Sequence, residues 1–384
     1  MIRRVLILLL AALLGGCSWI SNYLAGDDNS TPPAKLENIT PGIKVTRAWD
    51  VKVGAVDKDN PVRLTPALCD GKLFAAGGHG GVYAFDAGSG KSIWKTSSRA
   101  PLSGGVGCGG DLVLVGSEKG RVLAYHAADG KLAWQAQVSS EVLAPPRIAD
   151  GMVVTRTIDG KVFGLDAADG SRHWVYDRST PVLTLRGSGS VVITHGGVIG
   201  GFDNGKLVAV TLAEGKPLWE VSIAVPKGRS ELERMVDIDS DPRIVGNHVF
   251  IATYQGRVAS VALDSGSIEW VRDMSSYAGI DVDADHIYLT DDHSKVWSLD
   301  QNDGSVMWTQ DKLQGRSLTA PTVFGNYVVV GDFEGYVHWL SKDNGTIVAR
   351  DHSDSSGIML APLAGDGLLY VQGRGGVLSA YRVQ

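Results

Sequence analysis

The stretch Gly81-Val-Tyr-Ala-Phe-Asp-Ala-Gly-Ser-Gly-Lys-Ser-Ile-Trp94 recurs as Arg121-Val-Leu-Ala-Tyr-His-Ala-Ala-Asp-Gly-Lys-Leu-Ala-Trp134 and as Lys161-Val-Phe-Gly-Leu-Asp-Ala-Ala-Asp-Gly-Ser-Arg-His-Trp174. Weaker copies end at Trp219, Trp270 and Trp308, and a seventh ends at Ala349 without its tryptophan. These end marks fall 40, 40, 45, 51, 38 and 41 residues apart. A period near 40 built of short alternating strands predicts the blades of a β-propeller. Within one copy, Val82, Ala84 and Asp86 alternate with Tyr83 and Phe85, the period of a strand. Gly-Ser-Gly or Ala-Asp-Gly then supplies the positive φ of a hairpin turn, and the tryptophan beyond it is large enough to fill the gap between blades. A second hairpin lies upstream in each copy, turning at Asp70-Gly71, Asp150-Gly151 and Asn326. Each unit is therefore four strands, A to D.

Seven complete units span about 63–352, and an eighth from Ile358 reaches Gln384 with only three strands. The missing D strand is predicted at the other end, where Thr46-Arg-Ala-Trp-Asp-Val51 carries Trp49, 45 residues before Trp94. The expected fold is all-β: an eight-bladed propeller of four-stranded antiparallel blades over 43–384, whose last blade is closed by the N-terminal strand. Such closure removes an open sheet edge. Two segments depart from the repeat. Residues 196–205 read as a lengthened B–C region in the fourth unit. Residues 225–235 read as an insertion before the fifth, with Ser230 and Glu233 at capping-box spacing for a helical turn. Insertions in repeat proteins tend to gather on one face and often bind there.

Ahead of the repeats, Arg3 and Arg4 precede a ten-residue apolar run from Val5 to Leu14, then Gly15, Gly16 and Cys17. The run is too short to span a bilayer and reads as a secretory leader, 1–16. Leu14-Gly-Gly-Cys17 resembles a bacterial lipobox, which implies cleavage before Cys17 and diacylation of its thiol. Ser18 follows where an aspartate would favour the inner membrane, so the resemblance directs the anchor to the outer membrane. Acyl chains anchor stably in numbers. Residues 17–42, polar and rich in turn formers, read as a flexible tether.

The net charge is −6, and −8 without Arg3 and Arg4, with no basic stripe for nucleic acid. Cys69 and Cys108 occupy matching positions of successive units. An oxidising compartment permits a bridge, but matching positions on neighbouring blades look too far apart, and two buried thiols are the favoured expectation. Nine histidines show no pair at metal-ligand spacing, and no nucleophile elbow or phosphate loop is present, so neither catalytic residues nor a metal site is expected. Asp237-Ile-Asp-Ser-Asp241 and Asp281-Val-Asp-Ala-Asp285 open like calcium loops, but Pro242 and His286 stand where the glycine belongs. They read instead as A strands entering the A–B turn.

Two resemblances follow. Ala-Asp-Gly-Lys-x-x-Trp resembles the repeats of quinoprotein dehydrogenases, eight-bladed propellers built around pyrroloquinoline quinone. Those enzymes need a stacking tryptophan, calcium ligands and usually a disulfide between adjacent cysteines, and the chain has no adjacent cysteines. No cofactor is expected. Lipobox, tether and blades together resemble the BamB family, lipoprotein subunits of the machinery that folds β-barrels into the outer membrane. Local matches are Leu183-Thr-Leu-Arg-Gly187, Asp237-Ile-Asp-Ser-Asp-Pro242, Gly331-Asp-Phe-Glu-Gly-Tyr-Val-His-Trp339 and Asp354-Ser-Ser-Gly357. The resemblance implies a non-enzymatic scaffold facing the periplasm, one copy among the BAM subunits, that assists nascent outer membrane proteins. It places contacts to the POTRA domains of the central subunit BamA at Leu183, Leu185, Arg186, Asp237 and Asp239. An arginine between leucines suits an interface anchor. A ligand-binding propeller of the periplasm is the other class the sequence allows.

Overall fold

The computed structural model describes residues 32–56, 62–177, 189–225 and 236–384. They form eight four-stranded antiparallel sheets, each consecutive in sequence except the last. Blade 1 is typical: Ala67–Cys69, Lys72–Ala76, Gly81–Asp86 and Ser92–Ser97 are its strands A to D. The eighth sheet is ordered Val45–Lys52, Val377–Val383, Leu368–Gln372, Leu363–Gly365, so the first strand of the chain is its D strand. Val45 pairs with Val383 and Lys52 with Val377, and Gln384 N–H donates to Lys44 O at 2.9 Å. The core lies between blades. Leu73, Ala75 and Phe85 of blade 1 pack on Tyr370, Leu378 and Ala380 of blade 8, which closes the ring.

One contact explains why the repeat carries both a tryptophan and a glycine. Trp94 Nε1 donates to Ala127 O in the C–D turn of the next blade at 3.0 Å, and Trp134 does the same to Ala167 at 2.8 Å. The ring lies against that turn's glycine. A Cβ on Gly130, whose φ is +70°, would stand 2.6 Å from Trp94. The same pairing runs from Trp49 with Gly90 to Trp308 with Gly345. It also accounts for Ala349. Blade 8 has no C–D turn, because the two ends of the chain meet there, so a tryptophan on blade 7 would have nothing to dock against.

Three sequence expectations about the blades need correction. Cys69 and Cys108 are joined in a disulfide, with Cα atoms 6.3 Å apart. Both sit on A strands, and the A strands line the axis where blades converge, so matching positions come close. The glycine-rich 196–205 segment is no longer than its counterparts. Strands Gly197–Gly201 and Lys206–Thr211 are spaced as His248–Ala252 and Arg257–Ala262 are in blade 5. Its glycines make room: a Cβ on Gly201 would lie 2.0 Å from Ile238 Cγ2. The extra length of the fourth and fifth units falls instead in their D–A connections. Finally, Asp237–Asp241 precedes its A strand, Arg243–Val245, although Asp281 is on one, Gly279–Val282. The predicted helical turn at 225–235 lies almost wholly outside the described residues.

The chain ahead of the closing strand is a strap, not a free tether up to Gly42. Ala34 N–H donates to Gln314 O, Gly42 N–H to Val348 O, and Leu36 and Ile39 pack on the core between blades 6 and 7. Arg316 Nη1 and Arg350 Nη1 donate to the carbonyls of Ala34 and Glu37 at 2.9 and 3.0 Å.

Candidate partner-binding face and its cavity

In a four-stranded blade, the D–A and B–C connections emerge at one end of the channel and the A–B and C–D turns at the other. The two longest D–A connections, before blades 4 and 5, therefore share a face. Leu183, Leu185 and Arg186, like Cys17, lie outside the described residues. Asp237 and Asp239 can be placed, and both are buried, at 0% and 7% exposure. Their segment is pinned to three blades. Ile238 is buried against the B strands of blades 4 and 5, and Ser240 Oγ donates to Ala252 O at 2.8 Å. Asp241 accepts Ser190 N–H at 2.7 Å and Arg147 Nη2 at 3.1 Å. The two nominated carboxylates are thus buried within the connection instead of lying on its surface.

Burial raises the Asp239 carboxyl above the usual carboxylate range; Asp203 adds to this, while Arg156 and Arg63 oppose it. Its Oδ1 accepts no hydrogen bond. Arg156 and Asp203 form a buried ion pair beside it, with Arg156 stacked 5.4 Å over Phe202. The second aspartate run is spent on structure: Asp281 Oδ2 accepts Val323 N–H at 2.8 Å, and Asp283 holds its own turn and pairs with Lys342.

Sequence reading missed two features of this face. The first is a cavity of about 610 Å³ at the channel mouth, lined by Arg63, Asp239, Tyr277, Leu318, Phe333 and Leu360 among others. Its walls come from six blades, and no local pattern announces it. The second is a charged clasp built from the Gly331–Trp339 motif. Asp332 accepts Arg316 Nε at 2.8 Å and pairs with His338 Nε2 at 3.0 Å, and Arg350 Nε donates to His338 Nδ1 at 3.1 Å. Arg316 also pairs with Glu334. The two arginines hold the strap. A quinone of the dehydrogenase kind does not fit the cavity. Among the described residues no tryptophan lines it, and the disulfide there joins cysteines 39 apart.

Fold and face together define a class, the eight-bladed propellers with quinoprotein-like repeats. The profile of the family described as outer membrane protein assembly factor BamB matches residues 78–310. The BamB of Pseudomonas aeruginosa is 45% identical over all of this chain and 99% of its own length, and that of Kangiella koreensis 44% identical over 95% and 92%. The chain belongs to the BamB family. The crystal structure of BamB from Moraxella catarrhalis superposes with a TM-score of 0.81 at 26% identity, covering 88% of this chain and 100% of that one. A quinohemoprotein alcohol dehydrogenase from Pseudomonas putida shares the fold alone, at a TM-score of 0.71 and 16% identity.

Proposed function

We propose that the protein is a non-catalytic scaffold subunit of the outer-membrane β-barrel assembly machinery. It is held to the outer membrane by acyl chains on Cys17 and faces the periplasm. It binds the POTRA domains of BamA through the face that carries the long D–A connections of blades 4 and 5, and thereby assists folding and insertion of outer membrane proteins. The observation that carries this reading is near full-length similarity to named outer membrane assembly factors. In this reading Leu183, Leu185 and Arg186 touch BamA, and buried Asp237 and Asp239 position the neighbouring connection. The test is co-purification from mild detergent. An Arg186→Glu variant should lose BamA while keeping its fold by circular dichroism, and normal recovery of BamA would reject the interface. Cys17→Ala should release the protein from the membrane fraction.

A further inference from the structure

The channel-mouth cavity has a charge pattern that the proposed contacts to BamA do not account for. Among the described residues, five charged ones line it. Asp241 is taken by Arg147 and Ser190, Arg243 by Asp281 and the Ile280 carbonyl, and Arg374 has a partner of its own. Two remain. The Arg63 guanidinium, half-buried, has no hydrogen-bond or ion-pair partner among the described residues. Asp239, 93% buried, leaves Oδ1 without a donor, and Arg156 and Arg63 attract it without making a hydrogen bond or ion pair to it. The rest of the wall is largely apolar, with Leu318 and Leu360 inside and Phe333 and Met359 exposed at the rim, at 41% and 48%. Partly desolvated charges of opposite sign each call for a counter-group. A net anion or a net cation would satisfy one and leave the other. A dipolar ligand with an apolar body satisfies both, and the volume is that of a small-molecule site.

We propose that this cavity binds a short peptide by its two ends, the terminal carboxylate on Arg63 and the α-ammonium against Asp239, with an apolar side chain on Leu318, Phe333 and Leu360. Because burial raises the Asp239 carboxyl, an ammonium beside it draws it back down. Binding therefore weakens on acidification.

Calorimetry on the full chain in mild detergent tests this with the dipeptide Leu-Phe, its N-acetyl form and its C-terminal amide. The free dipeptide should bind, and each cap should weaken it at least tenfold. Arg63→Met should bring the free dipeptide down to the affinity of the amide, and Asp239→Asn to that of the acetylated form. No saturable heat up to about 10 mM, or caps that cost nothing, would overturn the proposal. So would a penalty from one cap alone, which would mean a site for a single charge. The capped ligands require no variant, so a misfolded mutant does not blunt the test. BamA recovery with Arg63→Met should be normal, which lets this site and the assembly role fail separately.

Discussion

At the scale of single residues, the Trp–Gly pairing gives a sharp expectation. Gly130→Ala meets both a left-handed backbone and the Trp94 ring, and should cost about 2–4 kcal/mol by chemical denaturation. Gly151→Ala has a comparable φ of +76° with open space around its Cβ, and should cost only about 1 kcal/mol. Equal losses would mean that the ring contact is unimportant. Asp239 offers a test of sign. Its folded carboxyl holds a proton more tightly than the unfolded one, so ionisation penalises the native state, fully so above the raised pKa. Without ligand, Asp239→Asn should stabilise the protein at pH 7, with the gain shrinking as pH falls toward the ordinary carboxylate value of about 4. A loss of stability at pH 7 would contradict the burial argument.

At the scale of elements, the strap and its clasp govern behaviour in acid. His338 accepts Arg350 Nε–H at Nδ1, so its remaining proton is on Nε2, shared with Asp332. A second proton would face a donor. Burial, aided by Arg350 and Arg316, holds the imidazole below its ordinary value against the pull of Asp332. The folded state therefore binds this proton less readily than the unfolded one. The stability it confers is complete above the ordinary histidine value of about 6.5 and is lost as pH falls through it. Asp332, held low, carries its own loss at a more acid pH. The melting midpoint should drop between about pH 7.5 and 5.5, and His338→Gln should remove at least half of that drop; an unchanged slope would exclude His338 as its source. Asp332, Glu334 and His338 were visible in the sequence as part of a motif, but Arg316, Arg350 and the carbonyls they hold were not. Ala34 and Glu37 lie roughly 300 residues away, and their polar composition reads as tether because composition carries no information about which carbonyls find a guanidinium.

At the scale of the whole molecule, the architecture was readable because a repeat fixes every blade once one is read, and Trp49 betrayed the displaced strand by its spacing. What was misplaced or missed sits where blades meet: the bridge between Cys69 and Cys108, the path of Asp237–Asp241 ahead of its A strand, the cavity. Such features depend on convergence around the channel, which a period along the chain does not encode. The bridge should protect both cysteines from maleimide until reductant is added, and Cys69→Ser with Cys108→Ser should cost about 2–4 kcal/mol. Removing residues 45–52 exposes the C strand of blade 8 as an open edge. That variant should associate into dimers or larger species by light scattering, and a stable monomer would argue against the closing role.

The strap also decides how the molecule answers a mechanical load. Tension applied ahead of residue 34 reaches the Ala34 and Glu37 attachments first, then Gly42 on Val348. Only afterwards does it reach the closing strand. These bonds are met one after another, each yielding slack as it parts. A tug at the N-terminus is absorbed outside the ring before the seam between its two chain ends is strained.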